Sequence, residues 1–250
     1  MNIIVLLSVV PDTTVRVKLS GGGLPELSQV PMVINPWDEL ALTRALELKE
    51  DPASGVAGVT VVHAGPAGHD AVLRKALAMG ADNAVRIDGT PQDAWEAAAM
   101  LAAYLKEQPE ALILAGVESS DYNGAATGLL TAEMLEIPSI AAVSGLEVKG
   151  EEITVMRELE GGKEKVRIPA PCLAVVQKGI AAGPRMPSMR GIMMARRMSI
   201  TVVPPPATEP LTQAVAYEMP PEKSPCRMIP AEKAEEIIDL LENEAKVIKI

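Results

Sequence analysis

The sequence predicts an α/β protein: a mostly parallel sheet with helices on both faces, antiparallel additions, and a C-terminal arm ending in a helix. Three observations point there. Short runs of Val, Ile and Leu without polar alternation recur along residues 1–138, as strands buried on both faces require. Ala-rich stretches separate them, giving the β-α-β-α order of a parallel sheet. The chain has 250 residues, 48% hydrophobic and 22% charged, so it can build a core without disulfides or metals.

Taken in order, residues 3–9 read as the first buried strand, too short for a membrane span and without the basic start of a signal peptide. Residues 15–19 and 30–34 flank Ser20-Gly21-Gly22-Gly23 as a hairpin or excursion. Asn35-Pro36-Trp37-Asp38-Glu39 opens a helix, with Asn35 as the capping residue, Pro36 at the first helical position and carboxylates in the first turn. Strands follow at 59–64, 84–87 and 111–115, and helices at 67–79, 92–106 and 125–135, with residues 116–124 as a loop. Residues 139–148, 151–159 and 165–168 read as antiparallel strands turning at Gly150 and at Gly161-Gly162, and 173–177 as one more strand. Eight prolines in 201–230 predict an extended arm, and residues 231–245 an amphipathic helix. The expected division is an α/β nucleotide-binding domain over 1–200 and an arm with its helix over 201–250, docking on a partner.

Composition narrows the function. With three Tyr, two Trp and no Phe, the chain is poorly equipped to stack bases or flavin rings on its own side chains. Cys172 and Cys226 match no metal or redox spacing, and His63 and His69 are the only histidines, so zinc, thiol-redox and triad chemistry are disfavoured. Unpaired thiols fit a reducing cytoplasm. Cys172, inside an apolar strand, reads as an inert buried thiol, and His63 as a structural histidine within reach of a ligand at the sheet edge.

Two segments carry signals. The loop 116–127 leads from a central strand into a helix, so Asn123, Gly124 and the amides of 125–128 would lie at a helix N-terminus, which favours phosphate. A plain connecting loop is the competing reading, because neither the dinucleotide fingerprint nor the Walker motif is present. The second signal is charge. Net charge is −10, yet residues 165–208 hold seven Lys and Arg and no carboxylate. Met186, Met189, Met193, Met194 and Met198 lie in the same stretch. Such a basic, Met-rich segment suits docking of acidic proteins that approach under charge steering. Here too a second reading stands, with the methionines filling core gaps. Nucleic acid is disfavoured by the overall acidity and by the lack of aromatics in the segment.

Three stretches together resemble one family. They are Asn35-Pro36-Trp37-Asp38-Glu39, then Leu73-Arg74-Lys75-Ala76-Leu77-Ala78-Met79-Gly80-Ala81-Asp82, then Pro184-Arg185-Met186-Pro187-Ser188-Met189-Arg190-Gly191-Ile192-Met193 followed by Ala195-Arg196-Arg197. In this order the chain resembles the beta subunit of electron-transfer flavoprotein over its whole length. The resemblance implies an adenine-nucleotide-binding (HUP-like) fold and a heterodimer with an alpha subunit that holds most of the FAD contacts. It implies AMP, or a second FAD, at Leu6, Asn35, Pro36, Trp37, Asp38, Ala64 and the stretch Gly116, Asp121, Asn123, Gly124, Ala125, Ala126 and Thr127, with His63 and Trp37 as unusual residues beside that site. Ala125 and Ala126 stand where the family carries polar side chains; two missing hydrogen bonds would weaken binding about 30-fold. The docking segment maps onto Arg185, Met186, Met189, Arg190, Ile192 and Met193, with Met189 in place of the family's Leu anchor.

The resemblance further implies a cytoplasmic electron carrier with no catalytic group of its own, no membrane span and no nucleic-acid partner. It would pass electrons between an acyl-CoA-type dehydrogenase and downstream acceptors, with a membrane-bound quinone oxidoreductase as a further contact. The alternatives are an electron-bifurcating form in which a second FAD in this chain oxidises NADH, and a nucleotide-sensing module of the universal-stress type. The Gly-x2-Gly-x9-Gly-Ser/Thr spacing of the latter is absent after residues 111–115.

Overall fold

The computed structural model describes every residue except 109, 110, 224 and 250, together with the side chain of 111. Two compact units are present, Met1–Tyr217 and Glu218–Ile250.

In the first unit the chain runs β1 (Asn2–Leu6), β2 (Val9–Pro11), β3 (Lys18–Leu19), β4 (Pro25–Glu26), β5 (Met32–Ile34), α1 (Pro36–Glu50), β6 (Gly58–Gly65), α2 (Asp70–Met79) and β7 (Asn83–Asp88). It continues through α3 (Ala94–Leu105), β8 (Ala111–Gly116), α4 (Thr127–Met134), β9 (Ser139–Lys149), β10 (Glu152–Leu159), β11 (Gly162–Ile168), β12 (Cys172–Val176), α5 (Met189–Ala195) and β13 (Thr201–Val203). Nine strands form one sheet in the order β11-β10-β9-β12-β8-β1-β6-β7-β13. From β9 to β13 every pairing is parallel, while β10 and β11 are antiparallel additions, as expected from the sequence.

Alternate residues of β1 separate two cores. Ile3 and Val5 join Leu42, Leu46, Leu73 and Leu77 of α1 and α2 on one face. Ile4 and Leu6 join Met100, Leu101, Leu105 and Ala132 of α3 and α4 on the other. The sheet is therefore buried on both sides, and its strands need no polar face.

The structure departs from the sequence reading at three places. The first strand ends at Leu6 rather than at residue 9, because the backbone N–H of Ser8 donates to Asp38 Oδ2 at 2.7 Å and leaves the ladder. Val9–Pro11 then pairs antiparallel with Met32–Ile34. Met189–Ala195, overlapping the expected docking segment, forms the helix α5, for which the sequence reading had no element. Finally, within the proline-rich arm, Thr201–Val203 adds an edge strand beside β7 before Pro204. Farther along the arm the N–H groups of Leu211 and Thr212 donate to Asp93 Oδ2, at 2.7 and 2.8 Å, while Asp93 Oδ1 caps α3 through the N–H of Glu96.

In the second unit Ala231–Lys233 is a 3₁₀ turn, Glu236–Asp239 an α-turn (α6) and Leu240–Glu244 a π-turn. The predicted helix is thus present but broken into three windings. Ile237, Ile238 and Leu241 lie exposed within this unit.

Candidate functional site

The loops after β1 and β8 leave adjacent strands toward opposite faces: α1 packs on one core and α4 on the other. Outside the carboxyl ends of two strands at such a reversal is where open α/β sheets bind their ligands.

Residues at the start of α1 build one wall. Asn35 is 1% exposed, and its side chain does not cap the helix. Its Nδ2 donates to the Glu118 carbonyl at 2.8 Å, and its Oδ1 accepts from the Ser120 N–H at 3.2 Å, so it holds the loop after β8. Pro36 begins the helix as expected. Asp38, 3% exposed, accepts from the N–H of Ser8 through one oxygen and from that of Gly116 through the other, at 2.7 and 2.8 Å. Burial pushes its pKa up to about 6, against the pull of these hydrogen bonds. A Cβ on Gly116 would overlap the Asp38 carboxylate and stand 2.6 Å from Trp37 Cβ, so only glycine lets the two loops close this tightly.

The opposite wall is the loop 116–126 and the start of α4. Asn123 and Ala125 have φ of +50° and +48°, a left-handed backbone that alternates with open Gly124. Ala126 gives α4 no side-chain cap, which leaves its first-turn N–H groups free for an anion. Thr127 begins the helix, and its carbonyl accepts from the Thr131 hydroxyl. Gly128 would bring a Cβ to 3.1 Å from Ala115, so the helix start sits directly on the strand end. The Ser120 hydroxyl is buried without a partner among the described residues. Asp121 is exposed and accepts from the N–H of Tyr122.

A third group lies at the ends of β6 and β7. His63, 4% exposed, places Nδ1 2.8 Å from the Leu7 carbonyl and Nε2 2.8 Å from Nδ1 of His69. A carbonyl only accepts, so the proton sits on His63 Nδ1, and His69 then donates from its own Nδ1. Burial pushes the His63 pKa down to about 4, with the Leu7 hydrogen bond working in the other direction. Asp38 and His63 therefore grip the two ends of a single peptide group, Leu7–Ser8, just beyond Leu6, with Ala64 half-buried alongside. We expect ¹H–¹⁵N spectra to show His63 neutral, protonated on Nδ1 and not titrating until pH falls to about 4; titration near 6.5 would contradict this arrangement.

Arg86, His69, Asp70 and Asp88 escaped the sequence reading. Arg86 is 4% exposed, sits opposite His63 in the β6–β7 register, and donates to Asp70, Asp88 and the Gly65 carbonyl. A single buried Arg within a strand was the only signal that could have revealed this cluster.

The basic Met-rich segment lies elsewhere in the unit. Met186, Met189, Met193 and Met194 are exposed, which decides against gap filling for these four, whereas Met198 packs partly against the core. Ile192, grouped with the docking residues, packs against the core together with Ala195 and anchors α5. The helix is capped by Ser188 Oγ, which accepts from the Gly191 N–H at 3.0 Å, and Arg74 donates to the carbonyls of Ala195 and Met198 at its other end. Arg185 pairs with Glu50 at 2.7 Å, and its N–H donates to the Thr43 hydroxyl, so it fastens the segment to α1. Arg190 is exposed.

Cys172 is fully buried, and burial raises its pKa to about 12, which removes it from thiolate chemistry. Among the described residues no cluster of three His, Cys, Asp or Glu could hold a metal ion, and no helix is long and apolar enough to cross a membrane. A concavity at the antiparallel end of the sheet is lined by mutually paired charges, Arg167 with Glu152 among them.

The fold defines a class: an open α/β protein whose helices change faces at a switch point between β1 and β8. Comparison with known proteins makes it specific. The model of the electron transfer flavoprotein domain matches residues 27–208. Electron transfer flavoprotein subunit beta of Bacillus subtilis is 33% identical over 262 residues, covering 99% of this chain and 100% of the relative. The subunit beta of Syntrophomonas wolfei is 31% identical (90% of this chain, 88% of the relative), and that of Methylophilus methylotrophus 38% identical (68% and 66%). The chain belongs to the electron transfer flavoprotein beta-subunit family.

Proposed function

We propose that this chain pairs with an alpha subunit that carries most of the FAD contacts, holds AMP in its own cleft, and receives an acyl-CoA-type dehydrogenase on the α5 segment. The observation that carries the reading is the way the loop after β8 is built. Asn35 and Asp38 fix the loop after β8, Gly116 lets it close, and the uncapped start of α4 offers N–H groups to a phosphate. These residues fit an adenine nucleotide: the Leu6 backbone and Ala64 line the base side, and Asn123, Gly124, Ala125, Ala126 and Thr127 cradle the phosphate. Bound AMP acts as structure, and FAD shared with the partner supplies the redox chemistry. This chain's residues position, exclude water and dock.

Denaturing extraction of the purified heterodimer should release one FAD and one AMP. Two FAD and no AMP would replace this reading with the bifurcating one, and FAD alone would mean that Ala125 and Ala126 have cost the cleft its ligand.

Docking has its own test. Met189→Ala should slow electron exchange with the dehydrogenase about tenfold at unchanged flavin content, the scale of removing one apolar anchor. Arg185→Glu should slow it as well, by releasing the segment from Glu50. Loss of flavin in either variant would refute the docking assignment.

A further inference from the structure

Met186, Met189, Met193 and Met194 are exposed by 79, 75, 63 and 55%, whereas Met79 and Met100 are each 2% exposed. Met189 and Met193 are four residues apart on α5 and so share a side of the helix, while Ile192 and Ala195 take the inward side. Their thioethers thus stand in water, on a segment flanked by Arg185, Arg190, Arg196 and Arg197 and free of carboxylates. Leucine would bury as well against a partner and would be inert to peroxides. Methionine adds the capacity to take up oxygen.

We propose that the α5 segment is a reversible oxidation site for hydrogen peroxide, at which conversion of Met189 and Met193 to sulfoxides releases the docked partner. The release rests on the docking reading above. In the reaction a sulfur lone pair attacks one peroxide oxygen, the S–O bond forms as the O–O bond breaks, and proton transfer makes the departing oxygen water. Sulfur loses two electrons and peroxide gains them. Each sulfoxide replaces a flexible apolar tip by a strongly polar, chiral one, which must shed water to enter an apolar pocket. The fixed helix, held by Ser188 and Arg74, keeps the modified groups at the contact surface.

The test treats the flavin-loaded heterodimer with hydrogen peroxide, follows one-oxygen adducts by peptide mass spectrometry, and measures electron exchange with the dehydrogenase. Sulfoxide should form at Met186, Met189, Met193 and Met194 at least about tenfold faster than at Met79 and Met100, given their difference in exposure. Exchange should fall at least about fivefold at constant flavin content, and methionine sulfoxide reductase should restore it. The doubly substituted Met189→Leu, Met193→Leu heterodimer should keep its exchange rate after peroxide. Met228, 84% exposed in the other unit, is replaced by Leu in every sample to remove its contribution.

Equal oxidation of exposed and buried methionines overturns the proposal, as does an undiminished peroxide effect in the double-Leu heterodimer. Sulfoxide formation without slowing overturns it alone if unoxidised Met189→Ala is slow, and overturns the docking reading with it if that variant exchanges at the full rate.

Discussion

Replacing Asp38 by Asn will make the fold acid-sensitive between pH 6.5 and 4. Two buried groups with opposite shifts hold the end of β1. His63, with its folded pKa of about 4 against an ordinary 6.5, is protonated first in the unfolded chain, so its contribution to stability is lost as pH falls through that interval. Asp38 has a folded pKa of about 6 against 3.8, so the folded chain takes up the proton first and the wild type gains stability as pH falls from 6 to 4. Each contribution amounts to about 3 kcal/mol, so in the wild type these two nearly offset each other. Asn removes the gain and leaves the loss. It also sets an NH₂ group against one of the two backbone donors, from Ser8 or Gly116, at a cost of about 1–3 kcal/mol at neutral pH. Urea unfolding of both proteins at pH 7, 6, 5 and 4 measures the difference, and parallel pH profiles would refute the pairing of opposed groups.

Gly191→Ala will dislodge α5, the helix proposed above to dock the partner, without touching its exposed face. A Cβ at this position would overlap the carbonyl oxygen of Ala78 and lie 3.2 Å from its carbon, and both belong to helical backbone that cannot rotate away. The helix must lift from α2, taking Ile192 and Ala195 with it and stretching the Arg74 bonds to Ala195 and Met198. Overpacking of this kind costs about 1–3 kcal/mol. Faster amide exchange confined to residues 189–198 is the expected pattern, joined, on the function proposed above, by slower electron exchange with the dehydrogenase at unchanged nucleotide content. Unchanged amide exchange in α5 would show that the contact does not position it.

Much of this architecture was legible in sequence because strand and helix periods act locally. The unbroken apolar runs gave the parallel strands, and Pro36 marked the first turn of α1. Asn35 was misread for a physical reason: its local capping propensity was overridden by a tertiary use, two hydrogen bonds to a loop more than eighty positions away. The His63–His69–Arg86 group was hidden because strand register, rather than spacing along the chain, brings it together. Helix α5 was hidden because its support is remote. Its cap Ser188 is local, but its platform is α2, where Arg74 and Ala78 lie within one of the family's recognisable stretches. That stretch carries no chemistry of its own; in this structure it is the seat of the neighbouring segment.

The ends of the nine-stranded sheet limit how the subunit can assemble. An unpaired outer strand invites another chain to hydrogen-bond alongside it. Here β11 presents Lys163, Lys165 and Arg167 among its residues, and a second copy laid beside it would bring like charges together. At the other end β13 has only three residues and runs directly into Pro204, Pro205 and Pro206, which have no N–H to offer. Both borders are thus closed to sheet extension. Association is thereby directed to side-chain surfaces rather than to the sheet edges.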